Sequence, residues 1–122
     1  MVKSKKEFEK YILKVIAKYS KILLLERGSF SVKHGVSGTN SYMECKFNYP
    51  YLDTTIFYSD MAMNDWKNKK DITPFIVHEM CHVITDPLYA KANSRFVSEN
   101  EILDERELLT DYISNIIIKN KL

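Results

Sequence analysis

The sequence predicts an α+β fold in a single domain spanning residues 1–122, and three observations support this prediction. Apolar residues recur at helical spacing in two long segments, one near each end of the chain. Between them lie short segments with alternating, β-branched and aromatic residues, which are typical of strands. A further apolar segment contains two histidines at helical spacing. We therefore expect an N-terminal helix, a small three-stranded and mostly antiparallel sheet, a histidine-bearing helix and a C-terminal helix.

The N-terminal helix is expected to run from Lys5 to about Leu25 and to end at Gly28, because glycine readily adopts the left-handed backbone of a helix cap. One face of this segment carries lysines at helical spacing. A solvated outer face is the preferred interpretation, and a nucleic-acid or membrane surface is the alternative.

The middle of the chain is expected to form the sheet. Residues 30–36 and 42–47 alternate apolar and polar side chains around a turn-forming segment, so we expect them to pair as a hairpin. Residues 54–58 predict a third strand. Residues 60–70 are expected to connect this strand to the next helix, with Trp66 as a packing anchor.

The next helix is expected to contain about a dozen residues. Thr73 can cap its N-terminus, and Pro74 suits the first helical position. Asp86 and Pro87 are expected to end it, because a residue that precedes proline disfavours the helical backbone.

Residues 78–82 form an HExxH motif in the middle of this helix. His78 and His82 would lie one turn apart on the same face, so both rings can bind one metal ion, expected to be Zn²⁺ at one per chain. Glu79 is offset by one residue and can serve as a catalytic general base without being a ligand. The alternative is that both histidines are packed in the core. Cys81 is expected to be a small buried hydrophobe.

A catalytic zinc ion usually takes three protein ligands, so a further donor is expected. Ser98 and Glu101 form a capping box, which predicts a long final helix running toward Lys119. This helix carries several carboxylates, and no histidine outside the motif is suitably placed, because His34 lies in a predicted strand.

The apolar residues of the final helix favour one of these carboxylates. Those expected to face the core are Ile102, Leu109, Tyr112, Ile113 and Ile116. Glu105 lies within this stripe, Glu101 lies at its margin, and Glu107 points nearly away from it. Because a buried carboxylate is costly unless it is paired, Glu105 is expected to be the metal ligand, with Glu101 the next choice. A buried ion pair with Arg106 or a lysine is the alternative for Glu105.

This arrangement of an HExxH helix and a downstream glutamate, preceded by a helix and a small sheet, resembles a minimal gluzincin of the zincin metallopeptidases. The chain is similar to small predicted metallopeptidases of bacteriophages and mobile elements. The resemblance covers most of the chain and implies that His78, His82 and Glu105 bind zinc while Glu79 acts as the base. It also implies that an extended substrate adds to an edge strand, for which residues 54–58 are the candidate.

The gluzincin pattern has an aspartate four residues after the ligand glutamate. Leu109 stands at that position relative to Glu105. Glu107 and Asp111 do fit the spacing, so the choice between Glu105 and Glu107 stays open.

The predicted function is zinc-dependent hydrolysis of peptide bonds, in which Glu79 takes a proton from metal-activated water and returns it to the leaving amine. The expected partner is a peptide or protein substrate, and a single specific protein is one possibility. The alternative is a catalytically weak or inactive zinc-binding module that acts by protein–protein association.

Composition restricts the remaining partners and the compartment. The net charge of +2 is small and the charges are mixed along the chain, so no nucleic-acid partner is expected. No segment approaches about 20 consecutive apolar residues, and charges interrupt the N-terminal region, so neither a membrane span nor a signal peptide is expected. Cys45 and Cys81 are too few for a disulfide scaffold, which predicts a cytoplasmic location. The oligomeric state stays open.

Overall fold

The structure, a computed structural model, describes residues 2–23, 25, 29–38, 40–48, 53–92 and 99–120. In chain order it contains helix α1 (Val2–Ile22), strands β1 (Phe30–His34), β2 (Met43–Asn48) and β3 (Asp53–Tyr58), and helices α2 (Asp60–Lys67), α3 (Thr73–Ala92) and α4 (Glu99–Lys119). The predicted α+β class is confirmed. The N-terminal helix, three strands, HExxH helix and C-terminal helix occur in the expected order.

The sheet is mixed, and β3 is its central strand. β1 pairs with β3 in parallel and β2 pairs with β3 antiparallel, which gives the order β1-β3-β2. The predicted β1–β2 hairpin was therefore wrong. The inward side chains of β3 are Thr54, Ile56 and Tyr58, and all three are buried. A central position suits this strand because burial is greatest where neighbours flank both edges.

α1 packs against the sheet and supplies much of the core. Phe8 is fully buried and contacts the edge of the Tyr58 ring at a centroid distance of 5.0 Å. Trp66 packs on Phe8 at 5.2 Å, as expected of a packing anchor. Its segment is a helix rather than a plain connection, and Ser59 caps this helix by accepting a hydrogen bond from the amide of Ala62 at 3.1 Å.

α3 begins at Thr73, one residue before the expected first helical position at Pro74, and continues past the expected stop at Pro87 to Ala92. A proline removes one backbone hydrogen bond and disfavours helix in the preceding residue. α3 also packs along α4, and tertiary packing of this kind regularly outweighs local preference. The caps predicted at Gly28 and Ser98 lie outside the described residues. Within the part of the chain that the structure describes, no helix combines the length and apolar character that a membrane span requires.

Candidate metal centre

α3 places the two histidines of the motif side by side. The ring centroids of His78 and His82 are 4.8 Å apart, and the rings are nearly perpendicular at 83°. Other side chains of the same segment, including Val77, Met80 and Cys81, are fully buried in the core. These buried residues fix the rotation of α3. The side chains of His78, Glu79 and His82 consequently line one cavity, and their potential ligand atoms lie within 4.8 Å of one another.

Each histidine directs its Nδ1 atom at a carboxylate. Nδ1 of His78 lies 2.7 Å from Oδ1 of Asp111, and Nδ1 of His82 lies 3.0 Å from Oδ1 of Asp86. A neutral imidazole that donates its Nδ1–H in this way keeps its lone pair on Nε2. This is the usual arrangement around a histidine that binds a metal ion through Nε2.

Both Nε2 atoms face the carboxylate of Glu107. Nε2 of His78 lies 3.3 Å from Oε2, and Nε2 of His82 lies 3.5 Å from Oε1. These separations exceed the roughly 2.9 Å that is typical of a direct N–H···O hydrogen bond. Two ligand atoms about 2.1 Å from one tetrahedral ion would instead be about 3.4 Å apart. Two imidazoles and one carboxylate therefore have both the chemistry and the spacing of a zinc ligand set.

No protein-family model, curated protein or solved structure matches the chain. The interpretation of this site therefore depends on the positions and chemistry of its own side chains. The resemblance to the gluzincins rests on the motif and its spacing alone.

The structure does not bring Glu105 to the histidines. Glu105 is exposed on the face of α4 that carries Leu109 and Tyr112, which are 41 % and 68 % exposed. Of the side chains expected to face the core, Ile102 is buried and Ile113 packs against the core, whereas Leu109, Tyr112 and Ile116 are exposed, so the expected face was only partly correct. Glu101 is exposed as well. Glu107, which was expected to point away from the motif helix, is the carboxylate that faces it.

The reason lies in the face that α4 presents to the core. Its buried side chains are Ile102, Thr110, Ser114 and Ile117. The hydroxyl of Thr110 donates to the carbonyl of Arg106 at 2.7 Å and lies 2.8 Å from the hydroxyl of Thr85 on α3. Because these hydroxyls are satisfied, small polar residues can be buried and α4 can lie close to α3. This packing turns Glu107 and Asp111 toward the motif.

Arg106 joins the two acidic groups that flank His82. Its Nη2 lies 3.1 Å from Oε1 of Glu107, and its Nε lies 3.7 Å from Oδ1 of Asp86. The guanidinium side chain is 22 % exposed. It therefore positions Glu107 relative to the α3 helix as well as balancing part of the negative charge of the cluster.

Burial shapes the electrostatics of the motif. It raises the pKa of Glu79 to about 7, with the charge of His82 opposing this rise and that of Glu107 adding to it. Burial alone would lower the pKa of His82, but the hydrogen bond to Asp86 and the nearby carboxylates outweigh it and raise the pKa. A half-buried cluster with this many carboxylates favours a bound cation, because unpaired buried charge is costly.

Two cavities flank the motif and share Met43, His78 and Glu79 in their walls. One has a volume of about 440 Å³ and is largely polar, with Arg106 among its lining residues. The other has a volume of about 340 Å³ and is lined partly by aromatic side chains. Together they form a cleft that passes Glu79 on both sides.

β2 forms a wall of this cleft. Four consecutive residues, Met43, Glu44, Cys45 and Lys46, line the larger cavity. Because successive side chains of a strand point to opposite faces, a consecutive series indicates that the edge of the strand borders the cavity. β2 is an edge strand, whereas β3 has neighbours on both sides. The assignment of residues 54–58 as the edge strand of the cleft was therefore wrong.

The carboxylate of Glu44 holds the segment between β1 and β2 in place at the rim of the cleft by hydrogen bonds. It accepts hydrogen bonds from the amide of Ser37 at 2.9 Å and the amide of Gly38 at 3.2 Å, and from the Ser37 hydroxyl. The backbone hydrogen bond from Ser37 contributes most to lowering the pKa of Glu44, to about 2. The ionised carboxylate is thus the form that stabilises the fold.

A Glu44→Gln variant is expected to be less stable by about 1 kcal/mol at neutral pH, because the charge-assisted hydrogen bonds are lost. The folded pKa lies below the ordinary value of 4.5, so the wild-type contribution is complete above pH 4.5 and is lost as the pH falls toward 2. Urea unfolding at several pH values should show the two proteins converging in this acidic range. Parallel pH profiles for the two proteins would contradict the assigned role.

Asp111 is expected to matter for metal affinity through its contact with His78. Replacing Asp111 with alanine removes the acceptor of the Nδ1–H, and loss of such a partner typically weakens metal binding about 10–100-fold. Titration of zinc against a competing chelator would measure the change. Asp104→Ala is a suitable control, because Asp104 is an exposed aspartate of the same helix. Equal zinc affinities of the two variants would argue against this role of Asp111.

Proposed function

We propose that this chain is a zinc-dependent metallopeptidase of the HExxH type. The observation that carries the proposal is the opposed orientation of the two imidazoles, with each Nδ1 facing its own carboxylate and both Nε2 atoms facing Glu107. The spacing of Glu107 and Asp111 adds support, because it fits the Glu-xxx-Asp pattern of the gluzincins. Glu107 replaces Glu105 as the proposed third ligand.

His78, His82 and Glu107 would hold one Zn²⁺ per chain. When bound, the ion supplies the Lewis acidity that polarises a peptide carbonyl and acidifies a water molecule. Asp111 accepts a hydrogen bond from Nδ1–H of His78, and Asp86 accepts one from Nδ1–H of His82. The lone pair of each Nε2 is then available to bind the ion. Cys81 is not a candidate ligand, since it is fully buried and burial raises the pKa of its thiol to about 11.

Glu79 would carry the proton in the reaction. Its Oε2 atom lies 3.8 Å from Nε2 of His78, and its side chain is only 12 % exposed at the junction of the two cavities. The carboxylate takes a proton from water as the new C–O bond forms. It then gives that proton to the leaving amine as the C–N bond breaks.

The substrate would be an extended peptide that lies along the free edge of β2. Main-chain hydrogen bonds to an edge strand hold a peptide independently of its sequence, and adjoining pockets then select side chains. On one side of Glu79 the cleft is lined by two cationic side chains, Lys46 and Arg106. On the other side it offers Tyr42 and Phe75, whose ring centroids are 4.7 Å apart.

We also propose a cytoplasmic location. Cys45 and Cys81 are free thiols and do not form a disulfide with each other. Burial raises the pKa of both thiols, which favours the protonated and less reactive form. These features suit a reducing compartment.

Hydrolysis can be tested with substrate mixtures, so that no single substrate has to be chosen in advance. Zinc-loaded protein is incubated with a mixture of peptides and with a mixture of folded proteins, and newly formed termini are detected by mass spectrometry. We expect new termini that disappear after treatment with a chelator and return when zinc is restored. Absence of zinc-dependent cleavage in both mixtures would contradict the peptidase proposal.

A further inference from the structure

We propose that two copies of this chain form a symmetric dimer through antiparallel pairing of their α4 helices. The surface that carries this proposal is a stripe on α4 consisting of Glu105, Leu109, Tyr112, Ile116 and Lys119, here called the α4 seam. Its three central side chains are 41 %, 68 % and 44 % exposed, respectively. Glu105 and Lys119 are exposed at its two ends. The proposal does not depend on zinc binding or peptide hydrolysis.

The spacing of the α4 seam is that of a helix-pairing surface. Its members follow one another at intervals of four, three, four and three residues, so they lie in one line along the helix. This line is separate from the buried face of α4 that packs on α3. Leu13 and Met61 are also exposed, but each lies on another helix and outside any such series. Isolated exposed apolar residues are common, whereas a contiguous stripe marks an interaction site.

The order of residues along the α4 seam indicates a second copy as the occupant. The seam begins with an acidic residue, continues through three apolar or aromatic residues and ends with a basic residue. In an antiparallel pair with Tyr112 at the two-fold axis, Glu105 of each copy opposes Lys119 of the other. Leu109 then lies within one residue, about 1.5 Å along the helix axis, of Ile116 of the other copy. A parallel pair would instead place like charges together, so the seam is self-complementary in the antiparallel direction only.

The dimer would leave the candidate metal centre accessible. At about 100° per residue, Glu107 and Asp111 lie roughly 140° around the α4 axis from the middle of the seam. They face the cleft between α3 and β2, whereas the seam faces away from it. Loss of the dimer should therefore leave zinc binding unchanged.

The interface is expected to be small. A single helix pair with five seam residues per copy buries less than the roughly 1,600 Å² of a standard interface, so a dissociation constant on the order of micromolar is expected. Leu108 is 63 % exposed beside the seam and would extend the contact.

Sedimentation velocity over about 1–500 µM protein tests the proposal, since this range brackets the expected constant. Glu105→Lys and Lys119→Glu should each raise the dissociation constant about tenfold by opposing like charges, and the double reversal should restore it to within about threefold. Tyr112→Lys should raise it more than about 100-fold, because two ammonium groups would meet at the axis.

Leu13→Lys serves as the matched control, since it introduces the same charge at an exposed apolar position of α1 and should not change the dissociation constant. Circular dichroism and zinc content, measured on every variant, show whether the fold is retained. A wild-type protein that stays monomeric throughout the range would overturn the proposal and leave the seam to a different partner. A dimer that is insensitive to Tyr112→Lys, or not restored by the double reversal, would overturn it equally.

Discussion

Replacing Glu79 with glutamine is expected to abolish peptide hydrolysis and to leave zinc bound. Glutamine has almost the same shape as glutamate, but its amide cannot take a proton from water. Loss of a general base typically costs about 10²–10⁴-fold. In the proposed reaction the same group also protonates the leaving amine, so we expect kcat/KM to fall at least about 10³-fold. Initial rates on one peptide cleaved by the wild type, together with zinc content per chain, measure both parts of the prediction.

The control for this experiment is Glu7→Gln, which neutralises an exposed glutamate of α1 and should retain wild-type rates. If Glu79→Gln cleaves as fast as the wild type, the hydrolysis does not come from this site. If neither the wild type nor Glu79→Gln cleaves any peptide but both bind a protein partner equally well, the chain is better explained as a zinc-binding module without peptidase activity. The variant thus distinguishes a peptidase from a protein that acts by association.

The parts of the fold that were predictable from the sequence are those encoded locally. The HExxH helix has a proline in its first turn and an apolar series around its histidines, and it begins within one residue of the expected position. α4 likewise extends to Lys119, as its long apolar periodicity predicts. Capping and periodicity depend on neighbours a few residues away, so they can be recognised whatever the tertiary fold.

The strand order was not predictable in the same way. β1 and β2 are consecutive and separated by turn residues, and consecutive strands are neighbours roughly two-thirds of the time. In this chain β3 lies between them. The deciding factor is tertiary, because β3 buries Ile56 and Tyr58 completely against the helices. Such burial depends on contacts that are distant in sequence.

The orientation of α4 explains why Glu107, and not Glu105, lies beside the two histidines. A prediction from the stripe assumes that the most apolar face is the buried one. α4 instead buries Thr110, whose hydroxyl is satisfied by Thr85 and by a backbone carbonyl, and leaves Tyr112 exposed. The spacing of Glu107 and Asp111 did indicate the face that contacts His78. The Glu-xxx-Asp spacing was a better guide than hydrophobicity to the face of α4 that lies against α3.

A spacing signal was also available for the contact of Asp86 with His82, but not for the contact that Arg106 makes with Asp86. Asp86 follows His82 by four residues, the spacing at which helical side chains meet, and it bonds to Nδ1 of that histidine. Arg106 immediately precedes Glu107 and contacts both that carboxylate and Asp86. The contact between Arg106 and Asp86 joins two helices, so no local pattern could have indicated it.

Exchange of Glu107 for glutamine is expected to remove most of the zinc affinity, whereas Glu105→Gln should leave it unchanged. Loss of a residue that only orients a ligand costs about 10–100-fold in affinity, so loss of a charged ligand should raise the zinc dissociation constant by at least about 100-fold. The two variants remove the same charge from the same helix two residues apart. They differ in geometry, since only Glu107 faces both Nε2 atoms. Competition with a chromophoric chelator measures the affinities.

Thermal unfolding without metal must accompany this comparison, because Glu107→Gln also weakens the contact with Arg106. A destabilised fold would lower zinc affinity indirectly, and that effect would be reduced on cooling below the unfolding transition. A ligand effect would persist in the fully folded protein at low temperature. Retention of wild-type affinity by Glu107→Gln, together with its loss in Glu105→Gln, would mean that α4 rotates to bury its apolar stripe when the ion binds. That outcome would contradict the proposed ligand set. It would also contradict the exposure of the α4 seam on which the dimer proposal depends.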